Sequence, residues 1–107
     1  MRESKGKRPK DGMHRCYFSD GKLSYIVFYR NGKKHGLCKY YLRNGQLRAT
    51  GRFFEGKMTG LWRWWRQDGK LWQVGNFKNG AKAGSWKLYD KSGKLQSSQT
   101  FKDNKKI

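Results

Sequence analysis

A cation recurs every 24 residues along this chain, at Arg15, Lys39, Arg63 and Lys87, and an aromatic residue stands two positions after each, at Tyr17, Tyr41, Trp65 and Tyr89. Ammonium and guanidinium groups beside aromatic rings suit phosphates, stacked bases or an acidic protein surface, because the cation neutralises an anion while the ring anchors or stacks. These eight residues are the candidate partner-binding set. The competing use is plain solvation, with Lys and Arg stems covering neighbouring rings and charge guarding the sheet against aggregation. Other chemistry is poorly served. His14, Cys16, His35 and Cys38 are metal-ligand types, but His14 with Cys16 and His35 with Cys38 match no common zinc spacing. At the same phase other repeats hold Trp, Ala or Thr, so these residues read as ordinary variants and no metal is expected. The nucleophile elbow, the P-loop and the dinucleotide glycine motif are all missing, and the seven acids are scattered instead of paired. The expectation is no enzyme and no cofactor.

The charge sharpens the partner question. Of 107 residues, 26 are Lys or Arg against 7 Asp or Glu, a formal charge of +19. Residues 13–101 alone carry 18 of the cations and 4 of the acids, so the charge belongs to the folded part as well as to its ends. Asp20, Asp68 and Asp90 stand in or beside turn sequences, with Glu55 in another, which leaves the strand cations few internal partners. Such a field attracts anions at long range and weakens with salt. Mean hydropathy is low at −1.11, yet 5 Trp, 6 Tyr and 6 Phe are a content that disordered chains lack. No apolar run reaches the roughly 18 residues of a membrane helix, and the first ten residues lack the apolar stretch of a signal peptide, so a cytoplasmic protein is expected.

What positions the eight residues is a repeat. Gly-Lys-Leu at 21–23 returns as Gly-Gln-Leu at 45–47 and as Gly-Lys-Leu at 69–71 and 93–95, and Gly12, Gly36, Gly60 and Gly84 share the step. Within one unit, Leu61 to Arg66 and Leu71 to Phe77 have the aromatic and β-branched content of strands. Asp68-Gly69 supplies a tight hairpin turn between them. The other connection, as from Asn31 to Gly36, reads as longer and glycine-bounded. Glycine about every ten residues disfavours helix. Strand alternation sends Trp62 and Trp64 to one face and Leu61, Arg63 and Trp65 to the other. A two-residue loop at Asp68-Gly69 sets Trp62 opposite Gly75, so that the indole covers a residue without a side chain. Cys16 and Cys38 should be separated by the strand from Leu23 to Tyr29, which holds their Cα atoms beyond the ~7 Å limit of a disulfide. The prediction is an all-β fold: a single-layer antiparallel β-meander of about eight strands from Met13 to Phe101. Basic tails flank it at 1–12 and 102–107.

The pattern Asn-Gly-x-x-x-Gly-x-Trp-x-x-Tyr/Trp-x-x-x-Gly-Lys-Leu-x-x-x-Gly-x-Phe resembles the MORN repeat, and more closely the bacterial variant of YwqK-type antitoxin proteins. It is carried by Gly36 to Phe53, Gly60 to Phe77 and Gly84 to Phe101, with a partial unit at Gly12 to Tyr29, giving units near 12–35, 36–59, 60–83 and 84–107. Val27 and Gln99 stand where Gly51 and Gly75 do elsewhere, and His14 and Cys38 where Trp62 and Trp86 do. The resemblance implies a non-enzymatic interaction module that binds and masks an acidic protein, with antitoxin or immunity action as the specific form. Nucleic-acid binding by the same stripe is the alternative, and docking to anionic lipid a lesser one. The charge also suits a subunit of a larger assembly.

Overall fold

The computed structural model describes residues 10–107; the basic stretch expected before residue 10 lies outside the described residues. Among the described residues, nine strands form one antiparallel sheet in chain order: β1 (Gly12–Tyr17), β2 (Leu23–Arg30), β3 (Lys33–Tyr41), β4 (Leu47–Phe54), β5 (Lys57–Trp65), β6 (Leu71–Lys78), β7 (Ala81–Tyr89), β8 (Leu95–Lys102) and β9 (Lys105–Lys106). The ninth strand comes from the segment read as a tail: Lys102 ends β8 and Lys105 pairs with it. The sheet is open, and its longest dimension is 45 Å, against about 38 Å for the eight spacings of about 4.8 Å between nine strands.

The two kinds of connection exchange the roles assigned to them from sequence. The connection read as long is a two-residue turn: Arg30 pairs with Lys33, Phe54 with Lys57 and Lys78 with Ala81. Asn31-Gly32, Glu55-Gly56 and Asn79-Gly80 all have positive φ at both residues, which is the type I′ geometry that matches strand twist. The Asp68-Gly69 connection is the longer one. Trp65 pairs with Leu71, Gly69 N–H donates to the Arg66 carbonyl at 2.9 Å, and Arg66 N–H donates to the Lys70 carbonyl at 2.8 Å. Only Gly69 has positive φ there, so this is a type I turn closed by a glycine bulge. The Asp68 carboxylate accepts from Lys70 N–H at 3.0 Å, and Asp20 and Asp90 are held by turn N–H groups in the same way. The acids at these turns shape loops.

Gly36, Gly60 and Gly84, read as bounding a loop, lie inside strands. Thr50 pairs with Arg63 but Arg52 with Thr59, so Gly60, Leu61 and Trp62 together oppose Gly51. The extra residues need a left-handed step, which Gly60 makes at φ 69. A second bulge recurs at the other end of each hairpin, where Trp64 pairs with Gln73 but Trp65 with Leu71, leaving Trp72 unpaired.

One face carries the packing. Val27, Cys38, Ala49, Trp62 and Trp86 are buried, and Trp62, Trp64 and Trp86 form a stack at 6.0 and 5.8 Å between centroids, with Phe53, Phe77 and Phe101 set edge-on. A sheet without a second layer must bury its apolar surface against itself, and large rings do this best. Trp62 is in register with Gly75 as expected, but its indole covers Gly51, on the strand before. A Cβ on Gly51 would lie 2.0 Å from the Trp62 ring, and one on Gly75 would lie 2.2 Å from Trp86. Gly75 is flanked in register by both tryptophans and has room for one, so Trp62 and Trp86 lean the same way. Each indole N–H then reaches the carbonyl next to its glycine, Trp62 to Arg52 at 3.1 Å and Trp86 to Asn76 at 3.0 Å. Where the first unit meets the second the sizes are exchanged: Val27 replaces the glycine, Cys38 replaces the tryptophan, the two are in register and both are buried.

Candidate interface on the second face

The bulges leave two adjacent rows untouched, one on each face. Arg15, Ile26, Lys39, Thr50, Arg63, Val74, Lys87 and Ser98 are each in register with the next across eight strands. The four predicted cations are therefore brought into one line, all exposed. Two strand spacings separate successive cations, about 9.6 Å. The strand between carries Ile26, Thr50 or Val74 at the same level, so the line alternates charge with a β-branched side chain. Among the described residues the ion pair found is Arg43 with Asp20 at 3.8 Å, at the hairpin ends and away from this row.

The predicted aromatic residues lie one step along each strand from the cations' next neighbours, and alternation keeps them on the cationic face. Each is in register with a leucine: Tyr17 with Leu23, Tyr41 with Leu47, Trp65 with Leu71 and Tyr89 with Leu95. The unpaired residue before this point shifts the leucines out of the alternation that would place them with the tryptophans. Tyr17 is 58% exposed, whereas Tyr41, Trp65 and Tyr89 are half-buried. The hairpin ends are tied sideways, with the Arg66 guanidinium donating to the Tyr89 carbonyl at 2.9 Å and lying 5.8 Å from the Trp72 ring centre.

Sequence reasoning missed the row on the other side of the cations. Met13 and Phe28 are in register, and Leu37 and Leu61 occupy the same level on β3 and β5. All four are exposed, between 38% and 50%. Met13, Ile26, Phe28 and Leu37 line one shallow hollow with Lys39. Toward β8 the same level turns polar, at Asn76, Ser85 and Thr100. The signal was available: Phe28 is two residues from Ile26, and Leu37 two from Lys39.

The opposite face holds the two thiols and their phenol neighbours. Cys16 and Cys38 are free, with β2 between their strands. Burial pushes the Cys38 thiol up to about 11 and the Tyr40 phenol up to about 12. A hydrogen bond with Cys16, with burial second, raises Tyr25 to about 12. A thiol must ionise to attack or to bind a metal, and Cys38 is held protonated far above neutral pH.

The family model described as a MORN repeat variant matches four times, at residues 10–33, 34–55, 58–79 and 82–103. No curated protein matches the chain. Among solved structures, the crystal structure of accessory secretory protein 1,2 and 3 in Streptococcus pneumoniae is similar at 17% identity and a TM-score of 0.48, covering 91% of this chain and 18% of that one. The chain thus spans less than a fifth of the length of that neighbour.

Proposed function

The chain belongs to the MORN repeat variant family, and from that premise we propose that it is a non-enzymatic interaction module whose cationic face binds and masks an acidic protein. The observation that carries the reading is the row of four exposed cations, clear of acids and bordered by the leucine-paired rings on one side and by Met13, Phe28, Leu37 and Leu61 along part of the other. Magnitudes argue that both features are needed. Four exposed ion pairs contribute roughly 1–4 kcal/mol together, short of the roughly 8 kcal/mol of a micromolar complex. The apolar borders must supply the rest, and a protein surface offers matching apolar groups where a phosphate backbone does not. Nucleic acid is the weaker fit because Tyr41, Trp65 and Tyr89 are half-buried and paired with leucines, which leaves them less free as base-stacking platforms than open rings. Masking a toxin in the cytoplasm is the specific form that the family resemblance suggests, and the same surface would serve it.

The test is affinity capture from native extract at about 0.3 M salt, where long-range attraction is screened, with and without nuclease, using the natural chain and the Lys39→Glu/Arg63→Glu variant. The expected result is one acidic protein, retained after nuclease and lost with the variant. Loss of every partner on nuclease treatment would make nucleic acid the ligand. Retention by the charge-reversed chain would remove this face from the proposal. If the recovered protein arrests growth when expressed alone, co-expression of this chain should restore it.

A further inference from the structure

We infer that the occupant of the cationic face is an acidic amphipathic α-helix of about 22 residues lying across the strands, with carboxylates at heptad spacing. This rests on the reading that the partner is an acidic protein, and it adds the partner's shape. Arg15, Lys39, Arg63 and Lys87 are separated by three intervals of about 9.6 Å, roughly 29 Å in all. In an α-helix, residues seven apart rise about 10.5 Å and return to within about 20° of the same direction. Over three intervals the rise differs by under about 3 Å and the direction drifts by about 60°, which long, flexible Lys and Arg side chains absorb. An extended strand repeats its face at about 6.6 and 13 Å, and neither fits.

The residues between the cations agree with the same geometry. Positions three and four after each carboxylate rise about 4.5 and 6 Å and flank it by about 60° and 40°. That places them over the intervening strand, about 4.8 Å along, where Ile26, Thr50 and Val74 alternate with the cations. The face is also the right width. The cation row and its two borders span about 13 Å along the strands, against a helix diameter of about 10–12 Å. Apolar side chains of such a helix reach Met13, Phe28 and Leu37 on one side and the leucine-paired rings on the other. Because the first border turns polar toward β8, the helix binds in one direction, with its more apolar end over β1 to β3.

The test uses three synthetic peptides of equal charge. The first has Glu at every seventh position and leucines three and four residues after each Glu. The second is an isomer of the same composition with its acids gathered at one end. The third is proline-rich with Glu every third residue, because polyproline II also repeats near 9.3 Å. Binding to the full chain is followed by fluorescence anisotropy at about 0.15 M salt, and helix content by circular dichroism. The first peptide should bind at least about tenfold tighter than the second, a difference of about 1.4 kcal/mol. It should also gain helix on binding and lose affinity for the Lys39→Glu/Arg63→Glu variant. Equal binding of the first two peptides would overturn the helix and leave the acidic partner standing. Preference for the proline-rich peptide would replace the helix by an extended ligand. No binding by any of them would overturn both readings.

Discussion

Replacing Gly51 with Ala adds one methyl group, and the structure predicts that it acts against Trp62 alone. Gly51 lies in extended backbone, so its conformation does not oppose the change, and lower unfolded-state entropy would favour Ala by roughly 0.4–1 kcal/mol. Against this, the new Cβ would sit 2.0 Å from the indole, and ordinary contact demands about 3.5–4 Å. The ring must therefore move by about 1.5 Å or more. Trp62 is 2% exposed, stacked on Trp64, edge-on to Phe53 and hydrogen-bonded to Arg52. Overpacking of this kind costs about 1–3 kcal/mol, and a lost hydrogen bond about 1 kcal/mol. Net destabilisation of about 1.5–3.5 kcal/mol follows, a fall in Tm of very roughly 10–20 °C for a domain of this size. The assay is urea unfolding followed by tryptophan fluorescence and far-UV circular dichroism, run on Gly51→Ala, Trp62→Leu and the double variant. In the Trp62→Leu background the Gly51→Ala change should be neutral within about 0.5 kcal/mol, because its opponent is gone. A cost below about 0.5 kcal/mol in the natural chain, or an equal cost in both backgrounds, would refute the reasoning.

Other outcomes follow from single features. Glu55 occupies a left-handed position, φ 52, that Asn31 and Asn79 fill in other repeats, so Glu55→Asn should stabilise by about 0.5–1 kcal/mol in urea unfolding. Cys38 is buried with its thiol raised from 9.0 to about 11, so the native state holds a proton that the unfolded state releases; stability is full below about pH 9 and declines as pH rises through 11. Tyr25 and Tyr40, raised from 10.0 to about 12, extend that loss between pH 10 and 12, and alkaline unfolding of Cys38→Ala should lack the earlier part of it. Native Cys38 should also resist a thiol reagent at pH 8 that labels it in urea. The Lys39→Glu/Arg63→Glu variant should unfold within about 0.5 kcal/mol of the natural chain, since both positions are exposed, which separates binding from folding.

The period and alternation of the sequence carry most of the fold: strand positions, meander order, the Trp62 to Gly75 register and the split of Arg63 from Trp62 are all readable from residue spacing. What is not readable is the use made of each glycine. Gly56 in a turn, Gly60 in a bulge and Gly51 beneath an indole are the same letter within ten residues, and each satisfies a different constraint. Asn-Gly and Asp-Gly are both hairpin signals, and only the strand pairing shows that the first closes two residues and the second closes three. The lean of Trp62 toward Gly51 is a many-body choice, settled by Trp86 occupying the place over Gly75. Pairwise register does not contain it.

The same bulges decide how far the candidate face could be read. Plain alternation finds Arg15, Lys39, Arg63 and Lys87 because their row is one of two adjacent levels at which every pair of neighbouring strands keeps a regular ladder, the other running from Cys16 through Tyr40 and Trp64 to Ser97 on the packed face. It fails for the leucines at 23, 47, 71 and 95, which an extra residue moves onto the cationic face beside the aromatic column. This division also separates the two tasks of the sheet. Glycine and tryptophan columns fix the packed face so tightly that a methyl group disturbs it, whereas the cationic face bears no such packing and its exposed side chains can vary from unit to unit. Arg52, Leu61 and Asn76 at one level of that face show the variation directly. A repeat that must keep one face to fold leaves the other free to vary, and the gradient from Met13 and Phe28 to Ser85 and Thr100 gives an otherwise periodic surface its direction.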